Sequence, residues 1–386
     1  MNTEALRTVA ATYGTPTYIF DVREVEARIR LLRSLLPEDT GLCFAVKANP
    51  FLIPYVADLV DRLEVCSPGE YEICIQEQIA PEKIVVSGVN KTYESMKRIL
   101  SYSKGAGIYT IESEEKNQMP LSVLIRLSSG NQFGVDAETF LRLAKEIQES
   151  PYLTLAGVHY YAGTQKRQSK LEKELDTLTA FAKTFEEETG TVLNELEYGA
   201  GMKVSYFIND SEKDQRESEP EPQIQALAEK LRTCAYGKKT IELGRFLVSM
   251  SGYYLTRVMD VKRTAQPGFL ILDGGIHQIN YYGWMMGMKQ PEIEVLAEKD
   301  GDEELFHLCG SLCTVNDVLA RDVALHDPQK GDVICFKRCG AYAATEGMAM
   351  FLSRELPQVL ICKTDGKIEK LRDQMETYLF HVSATT

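Results

Sequence analysis

Short apolar, β-branched runs recur along the first 245 residues, and several of them follow stretches with apolar residues at helical spacing. Eight runs predict strands: GLCFAVK (41–47), RLEVC (62–66), IVVSG (84–88), IYTI (108–111), SVLIRL (122–127), LTLAGVHYY (153–161), ELEYG (195–199) and TIELG (240–244). The clearest helices are predicted over 23–36, 136–148 and 167–188. This alternation is typical of an α/β fold with a (β/α)₈ barrel resembling the TIM barrel. A doubly wound sheet is the alternative, because alternation alone does not show closure.

The pattern changes after about residue 245, where apolar runs are no longer separated by long helices. These runs are 246–262, 268–273, 305–309, 332–337 and 358–363, and we expect PTYIF (16–20) to join them. They indicate a mainly β C-terminal domain. We therefore predict a barrel over 23–246 and a β-rich domain built from 1–22 and 247–386, which would contribute to the dimer and the active site. The acidic, proline-containing segment 209–223 predicts a solvated insertion loop.

Composition narrows the class of protein. A chain of 386 residues has room for a barrel plus a smaller domain, and it contains no apolar run of membrane-spanning length and no signal-peptide pattern. Nine scattered cysteines and five histidines show no usual zinc spacing, which predicts a reduced cytoplasmic protein without a metal. A net charge of −13 argues against nucleic acid and anionic membranes as partners.

Polar residues collect at the C-terminal ends of the predicted strands, where barrel enzymes place their chemistry. They are Lys47, Glu64, Arg126, the segment from His159 to Thr164, Gly199-Ala200-Gly201, Glu242 and Arg245. An aldehyde requires an amine nucleophile, and a phosphate requires backbone N–H groups and a cation. A pyridine nitrogen that stays protonated requires a carboxylate. Pyridoxal phosphate would use all three kinds of group.

Seven stretches in the same order strengthen this interpretation. They are FAVKAN (44–49), EVCSPGE (64–70), GVHYYAGTQ (157–165), YGAG (198–201), ELGR (242–245), CGSLCTVNDVLARD (309–322) and CGAY (339–342). With them, nearly the whole chain resembles the fold-type III, pyridoxal-phosphate-dependent decarboxylases, the family of diaminopimelate, ornithine and arginine decarboxylases. The resemblance implies an amino-acid decarboxylase that forms a homodimer with shared active sites.

The resemblance also implies roles for individual residues. Lys47 would hold the cofactor as an internal Schiff base, and Glu242 would keep the pyridine nitrogen protonated. Cys313, from the partner subunit's β domain, would protonate the quinonoid carbon. The cofactor's surroundings would include Glu64, Glu70, Tyr161, Thr164, Gly199, Gly201, Gly244, Arg245 and Tyr342. Three structural alternatives stay open: a core thiol for Cys313, a surface ion pair for Arg126 and a carboxylate in a helix's first turn for Glu70.

Three positions depart from the family pattern. Tyr161 stands where the family has a histidine stacked on the cofactor, and an aromatic tyrosine can still stack there. His159 should point to the same side, one layer deeper. Ala200 replaces the middle glycine of the turn, and Thr314 replaces an acidic residue that faces a distal ammonium group. His159, Arg126 and Thr314 are the candidate substrate residues.

These departures favour a particular branch of the family. LCTVNDVLARD, YYAGTQ and DGGIHQINYYG (273–283) resemble the decarboxylases of carrier-protein-bound glutamate and the exosortase-associated decarboxylases. The basic residues Lys166, Arg167 and Lys170 could receive an acidic carrier protein, or they could form a solvated helix start. The alternative substrates are a free amino acid or diaminopimelate. The alternative functions are an amino-acid racemase, against which Glu242 argues, and a non-catalytic homologue.

Overall fold

The computed structural model describes residues 1–111, 120–281 and 286–383 and divides into two compact units. The sheet unit comprises Met1–Val25, Ser205–Glu212 and Val248–Thr386, and the barrel unit comprises Glu26–Val204 and Lys213–Leu247. The chain starts in the sheet unit with α1 (Thr3–Tyr13) and β1 (Thr17–Asp21). Within the described ranges, no helix is both long and apolar enough to cross a membrane.

The barrel unit contains a closed parallel barrel of the kind that the sequence predicts. Its strands are β2 (Thr40–Ala45), β3 (Arg62–Val65), β4 (Ile84–Val86), β5 (Ile108–Ile111), β6 (Leu121–Arg126), β7 (Leu153–Tyr161), β8 (Glu195–Gly199) and β9 (Lys238–Leu243). Each strand pairs with the next, and β9 closes the ring on β2. The predicted (β/α)₈ barrel is therefore confirmed, and the doubly wound alternative is wrong.

Helices flank the barrel strands along the chain. They are α2 (Val22–Leu35), α3 (Ile53–Val56), α4 (Pro68–Gln76), α5 (Tyr93–Ser103), α6 (Ala137–Glu149), α7 (Gln168–Thr189), α8 (Glu212–Glu217), α9 (Pro220–Thr233) and α10 (Arg245–Val248). In α6, Phe140, Leu143 and Ile147 are buried at helical spacing, and the Asp136 side chain accepts the Thr139 N–H at 2.8 Å. The predicted helices α2, α6 and α7 lie within one residue of their expected bounds.

The prediction of a loop over 209–223 is wrong, because α8 and the first turn of α9 occupy much of it. Lys203 donates hydrogen bonds to the Asp214 and Glu217 carboxylates of α8, so a lysine outside the segment balances part of its negative charge. Pro220 lies at the start of α9, where its missing N–H costs no helical hydrogen bond.

The sheet unit is mainly β, as predicted. Its later strands are β10 (Gly252–Lys262), β11 (Gly268–Leu272), β12 (Ile293–Val295), β13 (Glu303–Cys309), β14 (Val318–His326), β15 (Val333–Lys337), β16 (Gln358–Cys362) and β17 (Ile368–Arg372). The main order is β14-β13-β11-β10-β1-β16-β17, and β15 pairs with both β10 and β12. Strand β1 confirms the prediction for PTYIF.

The predicted strand over 246–262 begins later than expected, because α10 and the short helical turn Ser249–Ser251 precede β10. The first residue of β10, Gly252, would place a Cβ 2.2 Å from the Gly340 nitrogen. This close backbone approach requires glycine at the position where the strand starts.

Candidate active site

Lys47 lies in a single helical turn, Val46–Ala48, immediately after β2. The expectation that the strand itself ends on this lysine is therefore wrong by two residues. The Lys47 Nζ lies 2.8 Å from Glu64 Oε2 and 3.6 Å from Glu242 Oε1, and the side chain is 32% exposed. An amine that solvent and small molecules can reach therefore lies beside two buried carboxyl groups.

Glu242 lies on β9 and is buried, with the Lys47 ammonium on one side of its carboxylate. His159, from β7, approaches it from the other side, with Nε2 3.2 Å from Glu242 Oε2. Burial disfavours the charged form of Glu242, but the charge of Lys47 and the hydrogen bond with His159 outweigh this effect and hold its pKa below the ordinary value. Glu242 is therefore an ionised carboxylate at neutral pH.

Tyr161 and the glycine turn 199–201 pack closely at the end of β7 and β8. The Lys47 Nζ lies 5.6 Å from the centre of the Tyr161 ring. A Cβ on Gly199 would lie 2.4 Å from Tyr161 Cδ2, and a Cβ on Gly201 would lie 2.2 Å from the Gly163 carbonyl oxygen. Gly201 also has a φ of +57°, which favours glycine. Both glycines are therefore needed for this close packing.

The remaining predicted barrel residues lie at or just beyond the same strand ends. Thr164 is half-buried in the segment after β7, and Gly244 with Arg245 follows β9 directly. Arg126 is the last residue of β6 and is only 7% exposed, with its guanidinium 4.8 Å from the centre of the Phe133 ring. Arg126 is therefore not a surface residue as its structural alternative assumed, because the side chain is buried against an aromatic ring.

The other predicted residues belong to the sheet unit. Cys313 is exposed and Thr314 is half-buried in the loop between β13 and β14. The core-thiol alternative for Cys313 is therefore wrong. Tyr342 is half-buried and has a φ of +64°, a left-handed backbone conformation that is uncommon for a tyrosine.

A buried carboxylate that the sequence reasoning missed shapes the Cys313 loop. Asp317 accepts the Leu312 N–H at 2.7 Å and the Ile276 N–H at 2.8 Å. A Cβ on Gly310 would lie 2.3 Å from this carboxylate. Asp317 thus fixes the backbone immediately before Cys313. An aspartate four residues after a cysteine carries no signal of this role.

Cys66 is a neighbour of Lys47 that the sequence reasoning missed. The Cys66 Sγ lies 3.5 Å from Lys47 Nζ, and burial raises the pKa of this thiol. Glu70 lies in the first turn of α4 and accepts the Cys66 N–H at 2.6 Å, in agreement with the structural alternative for that residue.

Deeper in the barrel, Arg62 donates hydrogen bonds to Glu195 and Glu197. Burial raises the pKa of Glu197 to about 7, although His159 and Arg62 oppose this shift.

The predicted basic cluster at the start of α7 is only partly exposed. Arg167 and Lys170 have side chains that are 66% and 56% exposed. Lys166 is buried, and its Nζ donates to Glu174 Oε2 at 2.7 Å. The prediction that Lys166 could receive a carrier protein is wrong, because its ammonium is enclosed by a carboxylate and aromatic rings instead of facing solvent.

The residues fit pyridoxal phosphate. Its carbonyl requires an amine, its ring nitrogen a carboxylate and its phosphate a close turn of the backbone. The site offers an accessible amine, a buried ionised carboxylate and a glycine turn that has no room for a Cβ. All three features lie at the C-terminal ends of strands of the same barrel. This arrangement defines a pyridoxal-phosphate enzyme of the barrel class.

Comparisons with known proteins agree with the fold and the site. The family model described as "Pyridoxal-dependent decarboxylase, C-terminal sheet domain" matches residues 18–340. The chain is 30% identical over 366 residues to a diaminopimelate decarboxylase of Actinosynnema pretiosum subsp. auranticum, covering 86% of this chain and 81% of that protein. It is 26% identical over 413 residues to the L-glutamyl-BtrI acyl-carrier protein decarboxylase of Niallia circulans, covering 96% and 94%. A solved diaminopimelate decarboxylase from M. jannaschii has the same fold, with a TM-score of 0.85, 20% identity and coverage of 98% and 94%.

The chain therefore belongs to the pyridoxal-dependent decarboxylase family. It is a lyase that uses pyridoxal phosphate to remove the carboxyl group of an amino acid. The predicted family, fold, reaction class and cofactor are confirmed.

Proposed function

We propose that this enzyme is an α-decarboxylase of an L-amino acid and that its cofactor binds at the Lys47 end of the barrel. Lys47 would hold the cofactor's carbonyl carbon, Glu242 its ring nitrogen, and the glycine turn 199–201 with Thr164 and Arg245 its phosphate. When bound, the cofactor accepts the electron pair that departing carbon dioxide leaves on the substrate's α-carbon.

The position of Glu242 is the observation that carries the proposed reaction. An ionised carboxylate held by Lys47 at 3.6 Å and His159 at 3.2 Å keeps a proton on any ring nitrogen that it contacts. A protonated ring nitrogen favours loss of carbon dioxide over simple racemisation. The resemblance implies that a racemase would instead have an arginine facing the ring nitrogen. Tyr161 would cover one face of the ring and exclude water.

Cys313 is the proposed proton donor to the substrate's α-carbon. It is exposed in its loop, and Asp317 fixes the backbone before it through two hydrogen bonds. We propose that Cys313 and Tyr342 act on the barrel of a second subunit, so that the enzyme is a homodimer with shared active sites.

An exposed apolar surface on the sheet unit supports a dimer. The side chains of Phe351, Leu352, Leu379 and Phe380 are 43%, 50%, 59% and 63% exposed. The two segments that carry them are joined by hydrogen bonds, including Ser353 Oγ to His381 Nδ1 at 2.8 Å and Thr377 Oγ1 to the Arg354 carbonyl oxygen at 2.7 Å. A second copy of the chain would remove this apolar surface from water.

We propose that the substrate's far end carries no free positive charge. Thr314, the residue after Cys313, is neutral, so a distal ammonium group would be desolvated without a partner at this position. A thioester to an acidic carrier protein satisfies this condition, and Arg167 with Lys170 offers exposed positive charge for such a carrier. The similarity to the carrier-protein decarboxylase of Niallia circulans supports this proposal.

Diaminopimelate is the second candidate substrate. Three curated relatives with 28% to 30% identity are diaminopimelate decarboxylases, and each covers at least 86% of this chain. These relatives support diaminopimelate at least as well as the carrier-protein relative supports a thioester.

Finally, we propose that the enzyme works in a reducing compartment, the cytoplasm. All nine cysteines are free thiols, and the eight other than Cys313 are wholly or partly buried in the two units.

A panel of substrates tests the proposal. Carbon dioxide release would be measured with free glutamate, lysine, ornithine, diaminopimelate and a glutamyl thioester on an acyl carrier protein. We expect turnover of the thioester and weak turnover of lysine and ornithine. Efficient turnover of diaminopimelate alone would select the second candidate, and no carbon dioxide release from any amino acid or thioester would contradict the proposed reaction.

A further inference from the structure

Lys166 is a buried lysine beside the glycine turn, and the reaction as described does not use it. The residue is 4% exposed. Its Nζ donates a hydrogen bond to the Gly199 carbonyl oxygen at 2.9 Å, and its backbone N–H donates to the Gly201 carbonyl oxygen at 2.9 Å. A single residue therefore binds both glycine carbonyls of the turn.

The ammonium group of Lys166 is enclosed on several sides. Glu174 Oε2 lies 2.7 Å from it and also accepts the Tyr198 hydroxyl at 2.7 Å. The ring centres of Tyr198 and Tyr161 lie 5.0 Å and 5.7 Å from Nζ. Burial lowers the pKa of Lys166, and the Glu174 carboxylate opposes this shift. A lysine is rarely buried this deeply without specific partners, and the partners of Lys166 are the Glu174 carboxylate and the Gly199 carbonyl.

The hydrogen bonds of Lys166 determine the direction of two peptide groups. In a planar trans peptide, the carbonyl oxygen and the following N–H point in opposite directions. Because the carbonyls of Gly199 and Gly201 point toward Lys166, the N–H groups of Ala200 and Met202 point away from it. Backbone N–H groups of a glycine-containing turn are the donors that an anion site of this kind uses.

We propose that Lys166 is a positioning residue that orients the glycine turn 199–201 to bind the phosphate of the cofactor. This inference rests on the proposed binding of the cofactor at the same turn. The Lys166 side chain holds the Gly199 carbonyl, and its contact with the Tyr161 ring links the turn to the residue proposed to cover the cofactor. The positive charge behind the turn also favours an anion on its other side.

The test compares two ligands that differ only in the phosphate. The affinities of apoenzyme for pyridoxal phosphate and for pyridoxal would be measured by equilibrium titration for wild type, Lys166→Met and the control Lys173→Met. The control removes an exposed lysine from α7, the helix that begins two residues after Lys166. We expect Lys166→Met to weaken pyridoxal phosphate binding by about tenfold, the effect of one charge-assisted hydrogen bond. Pyridoxal binding should change by less than about twofold in the same variant, because the backbone bond to Gly201 and the rest of the site remain.

Two outcomes would overturn the inference: equal losses for both ligands, which would indicate general damage to the site, or unchanged affinity for pyridoxal phosphate. If Lys166→Met does not fold, Glu174→Gln decides, because it removes the carboxylate that holds the ammonium while keeping the lysine. Glu174→Gln should weaken the binding of pyridoxal phosphate by less than Lys166→Met does, and it should again affect pyridoxal phosphate more than pyridoxal. If Glu174→Gln binds pyridoxal phosphate as selectively over pyridoxal as wild type does, the inference is overturned. If wild type itself does not bind pyridoxal phosphate more tightly than pyridoxal, the proposed cofactor site fails, which is distinct from failure of Lys166 alone.

Discussion

Glu242 is buried 3.6 Å from the ammonium of Lys47, whose charge favours the ionised form of this carboxyl group. The proposed mechanism uses both in different ways. Lys47 supplies an accessible amine, while Glu242 supplies a negative charge that water does not reach. Glu242 lies on β9 and Lys47 lies in the turn directly after β2, and these two strands pair where the barrel closes.

Replacing Glu242 by glutamine should separate cofactor binding from catalysis. Glu242→Gln keeps the shape of the side chain and removes its charge, so the proton on the cofactor's ring nitrogen is no longer stabilised. We expect decarboxylation to slow by about 10²-fold or more, while the apoenzyme still binds pyridoxal phosphate. Rates of carbon dioxide release at saturating cofactor give the measurement. Wild-type turnover in this variant would show that the carboxylate does not act on the cofactor.

Buried Glu197 should make the stability of the protein depend on pH. Its pKa is raised from 4.5 to about 7, so between these values the folded state keeps a proton that the unfolded state has released. The contribution of Glu197 to stability is therefore present at low pH and is lost as the pH rises through 7. Relative to wild type, Glu197→Gln should become more stable as the pH increases. Urea unfolding at about pH 5 and about pH 8 measures the difference, and an equal difference at both values would argue against the raised pKa.

Two inactive variants should restore activity when they are mixed, if the active sites are shared between subunits. A dimer of Lys47→Ala with Cys313→Ala contains one site with both residues intact and one with neither. After random exchange of subunits, we expect about a quarter of wild-type activity. Each variant incubated alone under the same conditions is the control. Absence of recovery after exchange has been demonstrated by mass spectrometry would mean that one chain builds the whole site.

An acidic residue after Cys313 should change the preferred substrate. Thr314→Glu supplies a partner for a distal ammonium group, so it should increase kcat/KM for lysine and diaminopimelate by about tenfold. Thr314→Gln, which has a similar size and no charge, is the matched control. Equal effects of the glutamate and glutamine variants would place Thr314 outside the region that faces the substrate's far end.

Much of the fold could be predicted from the sequence, because parallel barrel strands are buried on both faces and form nearly continuous apolar runs. The segment 209–223 was harder to predict, since its acidic composition suggested a loop, whereas Lys203 offsets the charge of α8 from outside the segment. Composition describes a segment by itself and contains no information about a distant partner.

The candidate site shows the same limit. Lys47, Glu242 and the glycine turn could be predicted because their order along the chain matches a family pattern. Lys166 was predicted to receive a carrier protein or to lie in a solvated helix start, because it forms a basic cluster with Arg167 and Lys170 along the sequence. Its burial depends on Glu174 and Tyr198, which approach only in the folded barrel. Contacts of this kind have no signature in the local sequence.

The most direct test of the account is to locate the residue that binds the cofactor. The enzyme would be loaded with pyridoxal phosphate, reduced with borohydride and digested, and the modified lysine would be identified by mass spectrometry. We predict a phosphopyridoxyl group on Lys47 in wild type and no modified peptide in Lys47→Ala, which should also release no carbon dioxide from any substrate. Modification of a different lysine in wild type, or full decarboxylase activity in Lys47→Ala, would contradict the central claim.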